Sequence, residues 1–345
     1  MEYLISVDIG TTALKSSIIS KDGIILASRS QDYPLLADGS IIEQEPHLWW
    51  EAFCTTSRQL IEEHGELSIA AIVLSGQMQD LILIEEGQCI SNAILYSDTR
   101  SQAEFKRLEA DLTSETLQQI TRNSQDASGI PAKLLMLSER KMLTEATTFL
   151  LGAHDYLCWK LTGRSVTDPT NAATTGLMNY EKSRWDETLL DYLKIEEAQL
   201  PTIEAAGSIT GKITEEAAEH CLLRAGLPVI HGAGDAASST VGAGAGIPGV
   251  YSCYLGTSGW VSATVADPID PSYGIFNLKH PNGEDTIAIG AMRTTGGNVS
   301  WLLEAFEIEG DKYEKLQEIA GKAAPGASGL FYLPYLQGER SPFSD

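Results

Sequence analysis

The chain has 345 residues, and its 24 Lys and Arg against 47 Asp and Glu give a formal net charge of -23 with histidine neutral. So acidic a chain is not expected to bind nucleic acid or an anionic membrane surface, because both need a basic face that displaces counterions. The length suggests about two domains of roughly 150 residues each. The hydrophobic residues, 43% of the total, are enough to build a core in both.

Residues 1–8 contain one short apolar run, with no basic leader and no cleavage site of small residues. They therefore predict a first strand and not a signal peptide. No run approaches the roughly 18 uncharged apolar residues that a membrane helix requires. The five cysteines are widely spaced and form no C-x-x-C pair, which disfavours a disulfide framework and a zinc knuckle. Together these features predict a cytoplasmic protein without a membrane partner.

Strand and helix signals alternate along the first 230 residues, which predicts an α/β fold. The expected strands are residues 4–7, 16–19, 24–26, 69–74, 149–151 and 228–230. The expected helices are residues 46–65, which begin at a proline and end at a glycine, and residues 101–112, 131–143 and 186–193. Residues 75–80, S-G-Q-M-Q-D, are polar and are expected to form a loop after the fourth strand.

A pattern of strand, Gly-Thr turn and strand occurs twice. Residues 7–12 read V-D-I-G-T-T, and residues 255–259 read L-G-T-S-G between expected strands at 251–255 and 260–265. Such a turn can direct backbone N–H groups and hydroxyls at a phosphate, because glycine permits close approach and threonine adds a donor. One copy is more simply a tight hairpin turn. Two copies at two domain starts predict a duplicated fold whose halves face each other across a cleft, with a hinge at residues 247–249.

Two carboxylates are candidates for the chemistry of such a cleft. Asp8 ends the first strand, where its carboxylate would meet a Mg²⁺ bound to the same phosphates, usually through water; a local turn contact is the alternative. Asp235 lies among small residues where an expected strand enters a helix, so there is room for a substrate, and the helix N-terminus favours the ionised form. A plain helix N-cap is its alternative. Given two phosphate turns, a general base for phosphoryl transfer is the favoured interpretation of Asp235.

Other tempting motifs are less specific. Residues 244–249 spell G-x-G-x-x-G, but a strand follows them instead of preceding them, so they are interpreted as part of the hinge. Residues 207–212 imitate a phosphate-binding P-loop, yet they are one residue short and lack the hydroxyl residue after the lysine, which favours a turn. The six histidines show none of the H-x-H or H-E-x-x-H spacings that would indicate a zinc site.

Six short motifs, taken in order, resemble those of the FGGY carbohydrate kinases, and among these most closely the xylulose kinases. They are residues 8–12 with Lys15, then residues 75–79, 93–100, 232–237, 255–259 and 333–342. The resemblance runs along the whole chain and implies an actin/hexokinase-type fold of two ribonuclease-H-like domains, with ATP between them and the sugar deep in the cleft. Residues 1–246 would then be the sugar-binding N-terminal domain, and residues 247–345 the first part of the nucleotide-binding C-terminal domain.

The resemblance also implies individual roles. Asp235 would be the catalytic base and touch the sugar, and Asp8 would lie near Mg²⁺. The implied nucleotide-binding residues are Thr11, Thr12, Lys15, Thr257 and Gly296. The implied sugar-binding residues are Met78 and Gln79, for which core filling and an exposed loop amide are the alternatives. The expected reaction transfers the γ-phosphoryl of ATP to a hydroxyl of a small sugar or polyol, with a pentulose such as xylulose favoured.

The chain departs from the family pattern at two places. Xylulose kinases carry a histidine after Gly-Gln-Met, where this chain has Gln79, an amide that donates and accepts hydrogen bonds but cannot become cationic. The family continues beyond Gly-Glu-Arg-Ser-Pro with elements that pack on adenine, whereas this chain ends at Asp345, so we expect an incomplete second domain with exposed apolar surfaces. Two alternative functions stay open: a sugar-binding fragment without catalysis, and an actin-like filament or chaperone ATPase without a sugar. The incomplete second domain would also allow a homodimer formed through its edge.

Overall fold

The structure, a computed structural model, describes residues 2–65, 67–256, 259–306, 310–336, 338–339 and 341, and it confirms a mixed α/β fold. The first 16 strands are β1 (Glu2–Ile9), β2 (Ala13–Ser20), β3 (Ile25–Asp32), β4 (Leu36–Asp38), β5 (Ile41–Gln44), β6 (Ser68–Gly76), β7 (Met78–Glu85), β8 (Gln88–Cys89), β9 (Ala93–Ile94), β10 (Thr148–Gly152), β11 (Val166–Thr167), β12 (Met178–Asn179), β13 (Arg184–Trp185), β14 (Thr202–Ile203), β15 (Ser208–Lys212) and β16 (Pro228–His231).

The helices in the same part of the chain are α1 (Pro46–His64), α2 (Gln102–Leu112), α3 (Ser114–Thr121), α4 (Ile130–Glu139), α5 (Ala153–Thr162), α6 (Pro169–Thr174), α7 (Glu187–Leu193), α8 (Glu215–Cys221) and α9 (Asp235–Thr240). The remaining elements are β17 (Tyr251–Leu255), β18 (Gly259–Val265), β19 (Ile275–Lys279), β20 (Thr286–Met292), α10 (Gly296–Ala305) and α11 (Lys312–Gly321). No helix among the described residues is both long and apolar enough to cross a bilayer.

β1 lies at the centre of the first sheet, whose strand order is β15-β16-β6-β1-β2-β3. β2 runs antiparallel to β1, while β6 runs parallel to it. Successive side chains of a strand point to opposite faces. Ile5, Val7 and Ile9 are therefore fully buried on one face, and Asp8 lies on the other. β1 thus carries the carboxylate to the edge at which β6 and β16 also end.

Helix α1 covers β2 and β3 of this sheet. It begins at Pro46, which fits the first turn because a helix leaves those N–H groups unpaired in any case. Trp49, Phe53 and Leu60 are fully buried, as their spacing predicts, whereas Ile61 is only half-buried at the margin of that face. Gly65 ends the helix with a φ of 68°, a conformation in which glycine meets no Cβ clash.

Three predicted elements differ in the structure. The polar run 75–80 is not a loop, because β6 extends to Gly76 and β7 begins at Met78. Ser75 and Gln77 use their side chains for hydrogen bonds inside the protein, so the polar residues here do not indicate an exposed loop: Gln77 Nε2 donates to Gln44 Oε1 at 2.9 Å. The P-loop imitation at 207–212 is strand β15, paired antiparallel with β16, and not a turn. The helix expected at 131–143 is α4, which ends at Glu139.

The last part of the chain repeats the opening plan of the first. β17 and β18 form an antiparallel hairpin, and the sheet continues in the order β17-β18-β20-β19. The first three of these strands are arranged as β1, β2 and β3 are, which agrees with the expected duplication. Of the second turn, Thr257 and Ser258 lie outside the described residues.

Strand β19 is bound to the first part of the chain by buried polar contacts. The side chain of Asn123 and the backbone of Asn277 form two reciprocal hydrogen bonds, of 2.7 and 2.9 Å. The Tyr180 hydroxyl lies 2.7 Å from Thr286 Oγ1. A π-helical turn at Val241–Ala245 connects the two parts, with Gly244 at a φ of 84°. The division into residues 1–246 and 247–345 stays a prediction.

Beyond residue 247 several apolar side chains are exposed. Leu255 is 73% exposed and Phe331 is 89% exposed. Side chains of this size and polarity are usually buried in folded proteins, because burying them lowers the free energy of the folded state. This exposure lies on the β17 side of the second sheet and on the segment after α11.

Candidate functional site

A cavity of about 490 Å³ opens where the two parts of the chain meet. Its lining includes, from the first part, Gln77, Met78, Gln79, Ser97, Asn123, Gln125, Asp126, Thr174 and Asp235, and from the second part Gly259, Trp260, Phe276, Ile289 and Arg293. The structure thus brings together three of the predicted sugar-site residues: Met78, Gln79 and Asp235. Clefts of this size, with a few convergent polar groups, are typical of small-molecule sites.

Asp235 is the first residue of α9 and is half-buried. Gly234, and not Asp235, occupies the N-cap position, so the plain N-cap alternative does not hold. The Asp235 carboxylate accepts the Ala236 N–H at 2.7 Å and otherwise faces the cavity. Burial, and then the negative charge of Asp8, raise the pKa of Asp235 to about 6. It is therefore a carboxylate that is ionised at neutral pH and close to the pH range in which a general base works best.

Asp8 lies across β1 and β2 from Lys15. Desolvation raises its pKa, although Lys15 and His154 act in the opposite direction. The charge of Asp8 contributes to the raised pKa of Asp235, and carboxylate oxygens are the ligands that Mg²⁺ prefers. The Asp8 carboxylate therefore fits a magnesium ion.

The first Gly-Thr turn is tightly held. Gly10 N–H donates to Ala13 O at 3.1 Å, and Thr11 Oγ1 donates to Gln77 Oε1 at 3.1 Å. Thr12 and Lys15 are exposed beside the turn. Gln77 thus links the turn to the sugar side of the site, and the nucleotide roles of Thr11, Thr12 and Lys15 stay predictions.

The second predicted nucleotide turn is described in part. Gly296 begins α10, and its N–H donates to Gly256 O at 2.8 Å. Thr295 Oγ1 donates to the same carbonyl at 3.0 Å, which joins the turn to the helix start. Thr257 lies outside the described residues, so the structure places Gly296 at the base of this turn and does not test Thr257.

Met78 and Gln79 open strand β7 at the wall of the cavity. Met78 packs so closely on Gly234 that a Cβ at that glycine would overlap its Sδ atom. Gln79 has a φ of 62°, which is uncommon for a residue with a side chain. Its N–H donates to Asn171 Oδ1 at 3.0 Å, and this contact holds the backbone at the start of β7. Met78 both fills space and lines the cavity, while Gln79 is half-buried and is not a surface amide.

Sequence reasoning missed two sets of residues here. The first is the cavity-lining loop before α4, whose polar run N-S-Q-D-A-S-G at residues 123–129 could have been noticed between two helices. The second is a fully buried cluster behind the cavity that consists of His154, Asp155, Asp168 and His231. His154 Nε2 lies 2.9 Å from Asp168 Oδ2, and His231 Nε2 lies 3.0 Å from Asp155 Oδ1. No short spacing announces this cluster, because Asp155 and His231 are 76 positions apart.

Comparisons with known proteins agree with this architecture. Residues 3–242 match the family described as "FGGY family of carbohydrate kinases, N-terminal domain". The chain is 30% identical over 353 residues to the xylulose kinase of Staphylococcus xylosus, covering 100% of this chain and 72% of that protein. It is 27% identical over 352 residues to the gluconokinase of Bacillus subtilis, covering 99% of this chain and 69% of that one.

Solved structures give the same result for the fold. The ligand-bound xylulose kinase of Lactobacillus acidophilus superposes with a TM-score of 0.92 at 29% identity, covering 99% of this chain and 70% of that one. The gluconate kinase of the same organism superposes with a TM-score of 0.91, also at 29% identity, with the same coverage of both chains. The family match alone spans more than half of the residues, and the relatives match along nearly the whole chain. The chain therefore belongs to the FGGY family of carbohydrate kinases.

Proposed function

We propose that the chain catalyses transfer of the γ-phosphoryl group of ATP to a hydroxyl of a small sugar, with Asp235 as the general base. The observation that supports this proposal is the Asp235 carboxylate in the same cavity as Met78 and Gln79, with a pKa of about 6. In the proposed step the sugar hydroxyl oxygen attacks the γ-phosphorus and its proton moves to Asp235. The bond from that phosphorus to the departing ADP oxygen breaks.

The cavity wall supports a neutral polyhydroxy substrate. Gln79, Ser97 and Gln125 supply amide and hydroxyl groups that can donate and accept hydrogen bonds. Trp260 and Phe276 supply apolar surface for the C–H face of a sugar. Two lining carboxylates, Asp126 and Asp235, stand against the single lining cation Arg293, so the lining disfavours an anionic sugar acid. A pentulose such as xylulose is accordingly the favoured substrate class.

Asp8 is proposed to hold Mg²⁺ through water beside the phosphates. When bound, this ion neutralises negative charge on the transferring phosphoryl group. Lys15 and the turn of Thr11 and Thr12 are proposed to contact the nucleotide phosphates on one side, with Thr257 and Gly296 on the other. Domain closure around the substrates would exclude water from the reacting atoms.

A sugar-binding chain without turnover is a second candidate. Its support is the exposed apolar surface on the proposed nucleotide side, where Tyr251, Leu255 and Leu333 are each more than 70% exposed. Sugar-side residues such as Gln79 and Asp235, by contrast, are half-buried and hydrogen-bonded. The two candidates therefore differ in whether ATP binds and reacts, and agree on the sugar.

Calorimetry of the full chain with xylulose, ribulose, ribitol and gluconate, followed by Mg-ATP and a coupled turnover assay, tests the proposal. We expect one neutral sugar to bind and to be phosphorylated. Asp235→Asn should keep sugar affinity within about threefold while turnover falls by about 10² or more, because a general base typically contributes that much. Asp22→Asn, an exposed position in the turn after β2, is the matched control and should change neither quantity.

Each outcome has one meaning. Turnover of Asp235→Asn within tenfold of the unaltered chain would refute the base assignment. Sugar binding with no ATP binding would select the second candidate. No binding of any sugar by the unaltered chain would refute both.

A further inference from the structure

The buried cluster behind the cavity connects the two segments that carry the proposed sugar-site residues. Asn171 accepts the Gln79 N–H through Oδ1, and its Nδ2 donates to Asp155 Oδ2 at 3.2 Å. Asp155 Oδ1 lies 3.0 Å from Nε2 of His231, the last residue of β16. Four residues later the same segment carries Asp235. Hydrogen bonds thus connect the Gln79 backbone to His231, and the backbone of the next four residues leads to the base.

His154 lies beside these hydrogen bonds. Its Nε2 is 2.9 Å from Asp168 Oδ2 and 3.5 Å from Asp155 Oδ1, and all three side chains are fully buried. Asp168 also accepts the Thr170 and Asn171 N–H groups at the start of α6, so it is fixed from that side. The backbone leaves no spare room, since a Cβ at Gly152 would lie 2.9 Å from His154 Cε1.

The charges around His154 are almost all negative. Asp155 and Asp168 touch it, while Asp8 on β1, Asp80 on β7 and Asp235 on α9 interact with it electrostatically. The ring of His231 lies beside it, tilted by 50° at a centroid distance of 4.8 Å. The other cations that act on these acids are Lys15 beside Asp8 and Lys133 beside Asp80. Burying several carboxylates without a cation is costly, so a positive charge at His154 stabilises the group.

We propose that His154 is a buried cation that positions the sugar site: held between Asp155 and Asp168, it fixes the Gln79 backbone and the segment that carries Asp235. Burial alone would lower the pKa of His154, but Asp155 and Asp168 outweigh burial and raise it to about 9. The same contact keeps the pKa of Asp168 below its ordinary value. Nδ1 of His154 has no hydrogen-bond partner among the described residues.

The charge is tested on the unliganded full chain by NMR of labelled histidine side chains between pH 6 and pH 10. We expect the resonance that disappears in His154→Gln to show both ring nitrogens protonated up to pH 8. In Asp168→Asn the same ring should lose its proton at lower pH. His47→Gln, at an exposed position, is the matched control for assignment and should leave the His154 signal unchanged. A neutral His154 at pH 7 would overturn the proposal, as would one equivalent of bound transition metal that is absent from His154→Gln.

The positioning role rests on the proposed function and is tested by sugar calorimetry. We expect His154→Gln to weaken sugar binding by about tenfold, because the two segments lose their common anchor. His154→Lys keeps the positive charge and should recover most of that loss, which a purely structural role of the ring would not predict. Equal weakening in the Gln and Lys variants, with both folded by circular dichroism, would overturn the positioning role. Failure of the unaltered chain to bind sugar would refute the proposed function and leave the NMR result standing.

Discussion

Gly234→Ala is expected to damage the sugar site more than the fold. Gly234 lies directly before Asp235, and the added methyl group would overlap both Sδ and Cγ of Met78. The overlap involves the middle of the Met78 side chain, since the terminal Cε lies 3.5 Å from the added methyl group. Moving the Cε atom alone would therefore not relieve it. Met78 must change rotamer, and because it lines the cavity, its new position takes space from the substrate.

The cost follows from overpacking. Inserting a methyl group into a filled site typically costs about 1–3 kcal/mol, and we expect a loss of this size in the free energy of unfolding. Sugar affinity should fall by about tenfold, which corresponds to about 1.4 kcal/mol. Gly242→Ala is the matched control: it lies in the π-helical turn after α9, and its added Cβ meets no atom of the described residues within 4 Å. It should change stability by less than about 0.5 kcal/mol.

Urea unfolding and sugar calorimetry measure the two quantities, and the double variant Gly234→Ala with Met78→Ala tests the cause. Removing the Met78 side chain removes the overlap, so the glycine substitution should cost much less in that background. The reasoning would be refuted if Gly234→Ala were as stable as the unaltered chain with equal sugar affinity. An undiminished penalty in the Met78→Ala background would refute the assigned cause.

Two further predictions concern the pH profile and the contact between the two parts of the chain. The pKa of Asp235 is raised to about 6, so turnover should fall as the pH drops through 6 and the base is protonated. Asp8→Asn removes a charge that raises this pKa, so the acid limb of the pH profile of turnover should move to lower pH. An unmoved acid limb would contradict the assignment of Asp235 as the base. Asn123→Ala should lower the free energy of unfolding, measured in urea, by about 1–3 kcal/mol because it leaves buried backbone groups of Asn277 unpaired. If the loss adds to that of Tyr180→Phe, the two contacts are independent. An unchanged free energy of unfolding in Asn123→Ala would contradict the anchoring of β19.

The fold could be predicted from the sequence as far as local patterns determine it. The apolar spacing of α1 and the proline and glycine at its ends gave its bounds to within a residue. The repeated Gly-Thr turn correctly indicated two similar hairpins. The run 75–80 could not be predicted in this way, because its polar residues are satisfied by distant partners such as Gln44 and Tyr96.

The candidate site shows the same limit. Asp235, Met78 and Gln79 could be located because each lies in a short motif. His154, Asp168 and Asn171 could not, since their roles depend on the packing of α5 and α6 behind the sheet. A lone histidine in a helical segment gives no sign of the two carboxylates that the fold places on either side of it.

The anchoring of β19 has a consequence for how a substrate would enter. Asn277 is tied to Asn123, and Lys279 O accepts the Thr170 hydroxyl at 2.7 Å, so this strand moves with the first part of the chain. Phe276, which belongs to the same strand and lines the cavity together with Gln79, is therefore part of a preformed wall. Sugar association should then be fast and independent of ATP, and any closing motion would reshape only the side where the phosphates arrive.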